Sequence, residues 1–320
     1  MPREPVRPVG RPERAHRRAG RIRRSLVTLV LTLGVLSWAV SGGLAAWQLT
    51  ARPAEPRAER LPTWLAAEAV RIATRDGEEL GAWFQPGPQG GGVAILLHGM
   101  GGSRSSLAPA AKRLEEAGHG FLAVSLRSFG DSSGGELDFG WSSRADVIAA
   151  VELVEQRSPG APIVVIGQSL GAAAAIFAAP ELGTRVAGYV LEAPYRDLDK
   201  ACSDRLRLRL AAPLAWLAEA GLRLWAPLFL PVDRALVRPI DHVGHFPAGV
   251  PVLFVAGAQD RRAPLEDVAV LTERCNGAAE LAILDGRDHD DLWELDGRHW
   301  ELWAGLLERV ERARAPVEPH

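Results

Sequence analysis

The rhythm of apolar and polar positions changes three times along the chain, and each change predicts a different kind of element. From Ser25 to Leu49 there is no charged residue. A helix of that length reaches roughly 37 Å at about 1.5 Å per residue, enough to cross a hydrocarbon core of about 30 Å. Residues 50–66, rich in Pro, Arg, Ala and Glu, read as a linker. Extended runs then flank Arg75-Asp76-Gly77-Glu78, which predicts a hairpin, because Gly accepts the positive φ that such turns require. Further on, continuous apolar runs alternate with helical patterns. Strands are expected at 93–97, 121–126, 163–166, 186–191, 250–255 and 281–284. Helices are expected at 107–117, 144–156, 170–179 (closed by Pro180) and 300–314. This repetition predicts an α/β fold, a mostly parallel twisted sheet with helices on both faces. Ligands of such sheets bind outside the carboxyl ends of the strands.

One stretch, 195–249, breaks the rhythm and is longer than an ordinary crossover. Leu214, Trp216, Leu217, Leu222, Leu224, Trp225 and Leu228 crowd into it. It is expected to form a helical cap inserted into a domain spanning 67–320. Its apolar side chains suit a core, an apolar pocket or a membrane surface.

Charge refines this picture. The net charge of −2 conceals a basic arm, residues 1–24, with nine Arg and two Glu, ahead of an acidic body. An acidic body repels phosphates, so no nucleic-acid partner is expected. Arginines before the apolar span place the N-terminus in the cytoplasm and the domain outside it, as a single-pass signal anchor in the cell membrane. The rival is a secreted protein cut near Leu44-Ala45-Ala46, although the apolar stretch exceeds the usual signal-peptide core of about 7–15 residues. Cys202 and Cys275 are expected to be separate thiols.

Chemistry concentrates at strand ends. Gly167-Gln168-Ser169-Leu170-Gly171 stands where a strand gives way to a helix, so a tight turn thrusts the Ser169 hydroxyl above the sheet. A serine hydroxyl is weakly nucleophilic and needs a base, itself oriented by an acid. In this architecture the chain order is Ser, acid, His. Asp260 follows the strand at 250–255, and His289 follows the strand at 281–284, so both emerge beside Ser169. Glu192 is a weaker candidate acid. Asp285 and Asp288 adjoin His289 in sequence and do not approach its ring from across the site. Asp288-His289-Asp290-Asp291 lacks further His or Cys at ligand spacing, and no metal is expected. Acyl transfer also needs donors aimed at the developing oxyanion. The backbone N–H groups of Leu170 and Met100 suit that role, the latter from the loop His98-Gly99-Met100-Gly101-Gly102.

In this order, His98-Gly99-x-Gly101-Gly102, Arg127-Ser128-Phe129-Gly130-Asp131-Ser132-Ser133-Gly134, the elbow, Ala256-Gly257-Ala258-Gln259-Asp260 and His289 resemble an α/β-hydrolase. More narrowly, the chain is similar to the serine aminopeptidase-like and monoacylglycerol lipase-like group, including its membrane-anchored bacterial members. The likeness covers roughly residues 67–312. It implies a cofactor-free enzyme with Ser169, Asp260 and His289 as triad and Met100 and Leu170 as oxyanion donors. The implied reaction is cleavage of a small or lipid-like carboxylic ester or thioester through an acyl-enzyme. A serine peptidase or amidase of the same fold is the alternative, and a non-catalytic binding domain the next. Two departures leave the substrate class open: Arg127-Ser128-Phe129-Gly130 replaces the usual Arg-Gly-His-Gly, and the elbow lacks the frequent Met before its last Gly.

Overall fold

The structure, a computed structural model, describes residues 13–52, 58–88 and 91–314. The first half of the basic arm (1–12) and the middle of the linker (53–57) lie outside the described residues. A long helix, α1 (Glu13–Thr50), comes first, starting well inside the basic arm. It is the one helix among the described residues long and apolar enough to cross a membrane. The expected hairpin follows as β1 (Glu68–Ala73) and β2 (Glu79–Gln85), paired antiparallel, with Gly77 at φ +95° in the turn.

Among the described residues, six parallel strands build the rest of the sheet: β3 (Val93–Leu97), β4 (Gly120–Val124), β5 (Ile163–Gln168), β6 (Gly188–Glu192), β7 (Pro251–Gly257) and β8 (Ala278–Leu284). Their order is β1-β2-β4-β3-β5-β6-β7-β8. The two faces are covered by different helices, and β3 shows why its sequence is apolar throughout. Val93, Ile95 and Leu97 pack with α3 (Ser143–Arg157) and α4 (Leu170–Leu182). Ala94 and Leu96 pack with α2 (Ala108–Glu116) and α9 (Gly297–Arg314). A period-2 chain buried on both sides has no polar position to spare. Between β3 and its neighbours β4 and β5 the strand order reverses, which opens a crevice at the carboxyl ends.

One local expectation needs correction. Helix α4 does not stop before Pro180; it runs to Leu182 and ends at Gly183, φ +54°. Proline here forgoes one bond, that of its missing N–H to the Ile176 carbonyl, and the buried Ala178, Ala179 and Leu182 around it hold the last turn in place. Ser142 precedes α3 but makes no capping bond; instead the Asp138 carboxylate accepts the Ser142 N–H at 2.8 Å.

Between β6 and β7 lie α5 (Leu198–Arg207), α6 (Ala212–Phe229) and the short α7 (Pro239–His242), followed after β7 by α8 (Leu265–Arg274). Helix α7 packs on α4, whereas α6 leaves the body and packs along α1. Cys202 and Cys275 are free thiols, and burial raises both pKa values, that of Cys202 to about 11.

The linker's far end is pinned beside the crevice. Buried Arg104 bonds both Asp131 carboxylate oxygens (2.5 and 2.8 Å) and pairs with Glu59 at 3.2 Å. The Glu59 carboxylate also accepts the Ser125 hydroxyl at 2.5 Å and that of Ser103. Burial opposes the charge on Glu59, yet these hydroxyls and Arg104 hold its pKa below the ordinary value. Removing the cation strands two carboxylates, so Arg104→Met is expected to cost about 3–5 kcal/mol. Thermal unfolding in detergent should show a fall in Tm on the order of 10 °C. A change below about 1 kcal/mol would mean the cluster is solvated like a surface pair.

Candidate active site

The elbow is built by two contacts that admit no side chain. A Cβ on Gly167 would lie 2.6 Å from the Gly171 backbone, and one on Gly171 would lie 2.5 Å from the Leu97 carbonyl oxygen. These approaches press α4 against β5 and β3, and Ser169 absorbs the turn at φ +49°, ψ −105°. Such a backbone is strained for a residue with a Cβ, and it is held here by Ser169 N–H to Glu192 O and Ala173 N–H to Ser169 O. Gln168, before it, is buried and lines a small cavity with Glu192, Leu292 and Trp303.

The crevice joins three strand ends. His289 Nε2 lies 3.2 Å from Ser169 Oγ, and His289 Nδ1 lies 2.7 Å from Asp260 Oδ2. A carboxylate only accepts, so Nδ1 carries the proton and Nε2 presents a lone pair to the hydroxyl. The other Asp260 oxygen, Oδ1, accepts the N–H groups of Arg262 (2.8 Å) and Ala263 (2.9 Å). All three side chains are buried. The loops after β7 and β8 are zipped together, Ala258 N–H to Leu284 O and Gln259 N–H to Arg287 O. Arg262 grips Asp290 with two bonds (2.7 and 2.8 Å) across the same seam.

On the other side of Ser169 lies the glycine loop after β3. Gly99 and Gly102 close it with a turn bond, and Gly101 takes φ +81°. The Met100 side chain is exposed at the mouth. Leu170 occupies the first position of α4, where helical N–H groups have no internal acceptor. His98, fully buried, ties this loop to the segment after β4: its Nδ1–H donates to Gly99 O (2.7 Å) and its Nε2 accepts the Leu126 N–H (3.0 Å). Phe129, where the related motif carries His, meets the His98 ring edge-on at 5.1 Å.

Burial drives the His98 pKa down to about 4, only partly offset by Gly99 and Glu59. A free histidine titrates near 6.5, so between those values the unfolded chain binds a proton that the folded one refuses. The associated stability is complete above about pH 6.5 and drains as pH falls toward 4, by about 3 kcal/mol in all. The variant His98→Gln keeps a donor and an acceptor but does not titrate. Its Tm is expected to fall less steeply than that of the wild type between pH 6.5 and 4.5; parallel curves would contradict the buried neutral ring.

The model of the family described as serine aminopeptidase, S33, matches residues 89–231. The uncharacterized protein Rv2307c of Mycobacterium tuberculosis is 31% identical over 242 residues, covering 73% of this chain and 76% of that one. The chain belongs to the α/β-hydrolase family. By family it is a hydrolase, and the sheet order agrees. The Pyrococcus furiosus esterase Pf2001 shares the fold at TM-score 0.66 and 23% identity, over 81% of this chain and 98% of its own. A bacterial membrane phospholipase A does so at TM-score 0.58 and 16% identity, over 90% and 99%.

In this α/β-hydrolase Glu192 is not an alternative partner of His289. Its carboxylate points to the α9 side, accepting from His299 Nε2 and from Trp303 Nε1–H (2.7 Å). Burial opposes a charge on His299, but Glu192 overcomes it and carries its pKa above the ordinary value. The spacing of His299 and Trp303, one helical turn apart, was a usable signal for a shared face; their acid was not. Asp285 is exposed, and the Asp288 carboxylate accepts backbone N–H groups of its own turn. Sequence reasoning missed Arg262, whose role depends on a loop-to-loop contact that no motif marks.

Proposed function

We propose that the protein is a membrane-anchored serine hydrolase of carboxylic esters, with Ser169 as nucleophile, His289 as base and Asp260 as the acid that orients it. The observation that carries this reading is the unbroken bond chain from Ser169 Oγ through both His289 nitrogens to Asp260. Ser169 Oγ attacks the acyl carbon while Nε2 takes its proton. The Met100 and Leu170 N–H groups face the developing oxyanion. The imidazolium, stabilised by Asp260, returns the proton to the leaving alcohol, which departs as the acyl-enzyme forms. Water, deprotonated by the same nitrogen, then releases the acid and restores the hydroxyl.

An esterase and a phospholipase among the structural relatives favour an ester. A thioester or an amide passes through the same steps. The anchor reading draws on α1: its last turn is tied into the body, with Leu137 N–H bonding Thr50 O at 2.7 Å. Cleavage near Ala46 would strip away residues already docked on α6, which favours retention over secretion.

Treatment of detergent-solubilised full-length protein with a fluorophosphonate should place a single adduct on the peptide carrying Ser169. An adduct elsewhere, or none on folded protein, would overturn the proposal. Turnover of esters of increasing chain length, beside matching thioesters and anilides, then identifies the substrate class.

A further inference from the structure

We infer that helix α6 lies within the bilayer, packed on α1, with its outer face against lipid hydrocarbon. The inference rests on the reading of α1 as a membrane anchor and adds a second immersed element to it.

The two helices meet backbone to backbone. A Cβ on Gly42 would lie 3.1 Å from the Gly221 Cα, the close approach that small residues allow between membrane helices. Two indole N–H groups fasten the crossing: Trp38 to the Leu217 carbonyl at 2.8 Å and Trp225 to the Ala39 carbonyl at 2.7 Å. In hydrocarbon, bonds of this kind satisfy groups that water does not reach.

The position of the crossing along α1 decides the depth. Gly42 stands seven residues before Leu49, the end of the uncharged stretch, so the contact is about 10 Å inside that end at 1.5 Å per residue. Holding α6 outside the lipid would leave only residues 25–37 to cross the membrane. They reach about 20 Å, short of the roughly 30 Å core. If α1 spans, α6 is immersed.

The surface of α6 fits that position. Leu214, Trp216, Leu217, Leu224 and Leu228 are exposed, continuing the exposed apolar surface of α1. Its two charged residues, Glu219 and Arg223, bond each other at 2.6 Å and border the cleft shared with α5. The immersed helix therefore carries no net charge.

Spin labels test this in full-length protein with Cys202→Ala and Cys275→Ala, reconstituted into phosphatidylcholine–phosphatidylglycerol nanodiscs. Labels go at Leu224→Cys and Leu228→Cys, with Val30→Cys on α1 and Glu280→Cys on exposed β8 as references. Expected is greater collision with oxygen than with a nickel chelate at 224, 228 and 30, and the reverse at 280. Nickel access at 224 and 228, with 30 still in lipid, overturns the inference and leaves the anchor standing. Nickel access at 30 as well overturns the anchor reading itself. Protection from both reagents with dipolar broadening means that a second copy covers the face, which also overturns it. Should the cysteine-free chain misfold, a benzophenone amino acid at position 224 of the otherwise unchanged chain gives the same answer. A lipid adduct is expected on irradiation, and a cross-linked dimer or an unmodified chain counts against the inference.

Discussion

Ser169→Ala is expected to lower kcat for a short-chain ester by about a factor of 10⁶, and His289→Ala to do nearly the same. The reason lies in the 3.2 Å contact between Ser169 Oγ and His289 Nε2. Without the base the hydroxyl keeps its proton and attacks poorly; without the hydroxyl the base has no proton to take. Each residue is useful only through the other, so the double variant should be no slower than either single one. A residual rate of about 10³–10⁴ over water should persist, supplied by the oxyanion donors and substrate binding. Single-turnover kinetics of the three variants, on protein with unchanged circular dichroism, measure this directly. Multiplying losses, or a loss of only tenfold at Ser169, would mean that another nucleophile does the work.

Much of this arrangement was legible in the chain because the constraints are local. A strand buried on both faces has to be apolar at every position, and Val93–Leu97 and Ile163–Ile166 read so directly. The elbow was legible because only glycine fits at 167 and 171, where neighbouring backbone stands 2.5–2.6 Å from a notional Cβ. That the loops carrying Asp260 and His289 meet beside Ser169 was readable from topology, since parallel strands deliver their following loops to one edge of the sheet.

What stayed hidden depends on partners far apart in sequence. The α1–α6 crossing joins residues 179 and 186 positions apart through Trp38 and Trp225. From sequence, Trp225 read as one of the apolar side chains of the 195–249 stretch, and no local pattern pairs it with α1. Glu192 stood as a spare acid until His299 and Trp303, more than a hundred residues later, claimed its carboxylate. Glu59 lay in a stretch read as linker, and only the buried Arg104 beside it explains why that segment is pinned. Pro180 misled for the opposite reason: its general tendency to end helices was outweighed by a final turn already packed on the sheet.

The second large effect is expected at Asp260, and its sign follows from how each carboxylate oxygen is used. Oδ1 is occupied by two backbone donors, the N–H groups of Arg262 and Ala263, while Oδ2 faces His289 Nδ1. An asparagine has one oxygen and one NH₂. The two backbone N–H groups require the oxygen on their side, so in Asp260→Asn the amide nitrogen turns toward the imidazole. That nitrogen donates, so Nδ1 must accept, and the ring proton moves to Nε2. There it points at Ser169 and leaves no lone pair to receive the hydroxyl proton. The fold is untouched, yet kcat should fall by about 10⁴ at neutral pH. Nitrogen-15 shifts of the His289 ring distinguish this from general damage: wild type should show protonated Nδ1, the variant protonated Nε2. An Asp260→Asn protein within tenfold of wild type, or one whose tautomer does not change, would remove Asp260 from the relay and send the search for its acid elsewhere along the crevice.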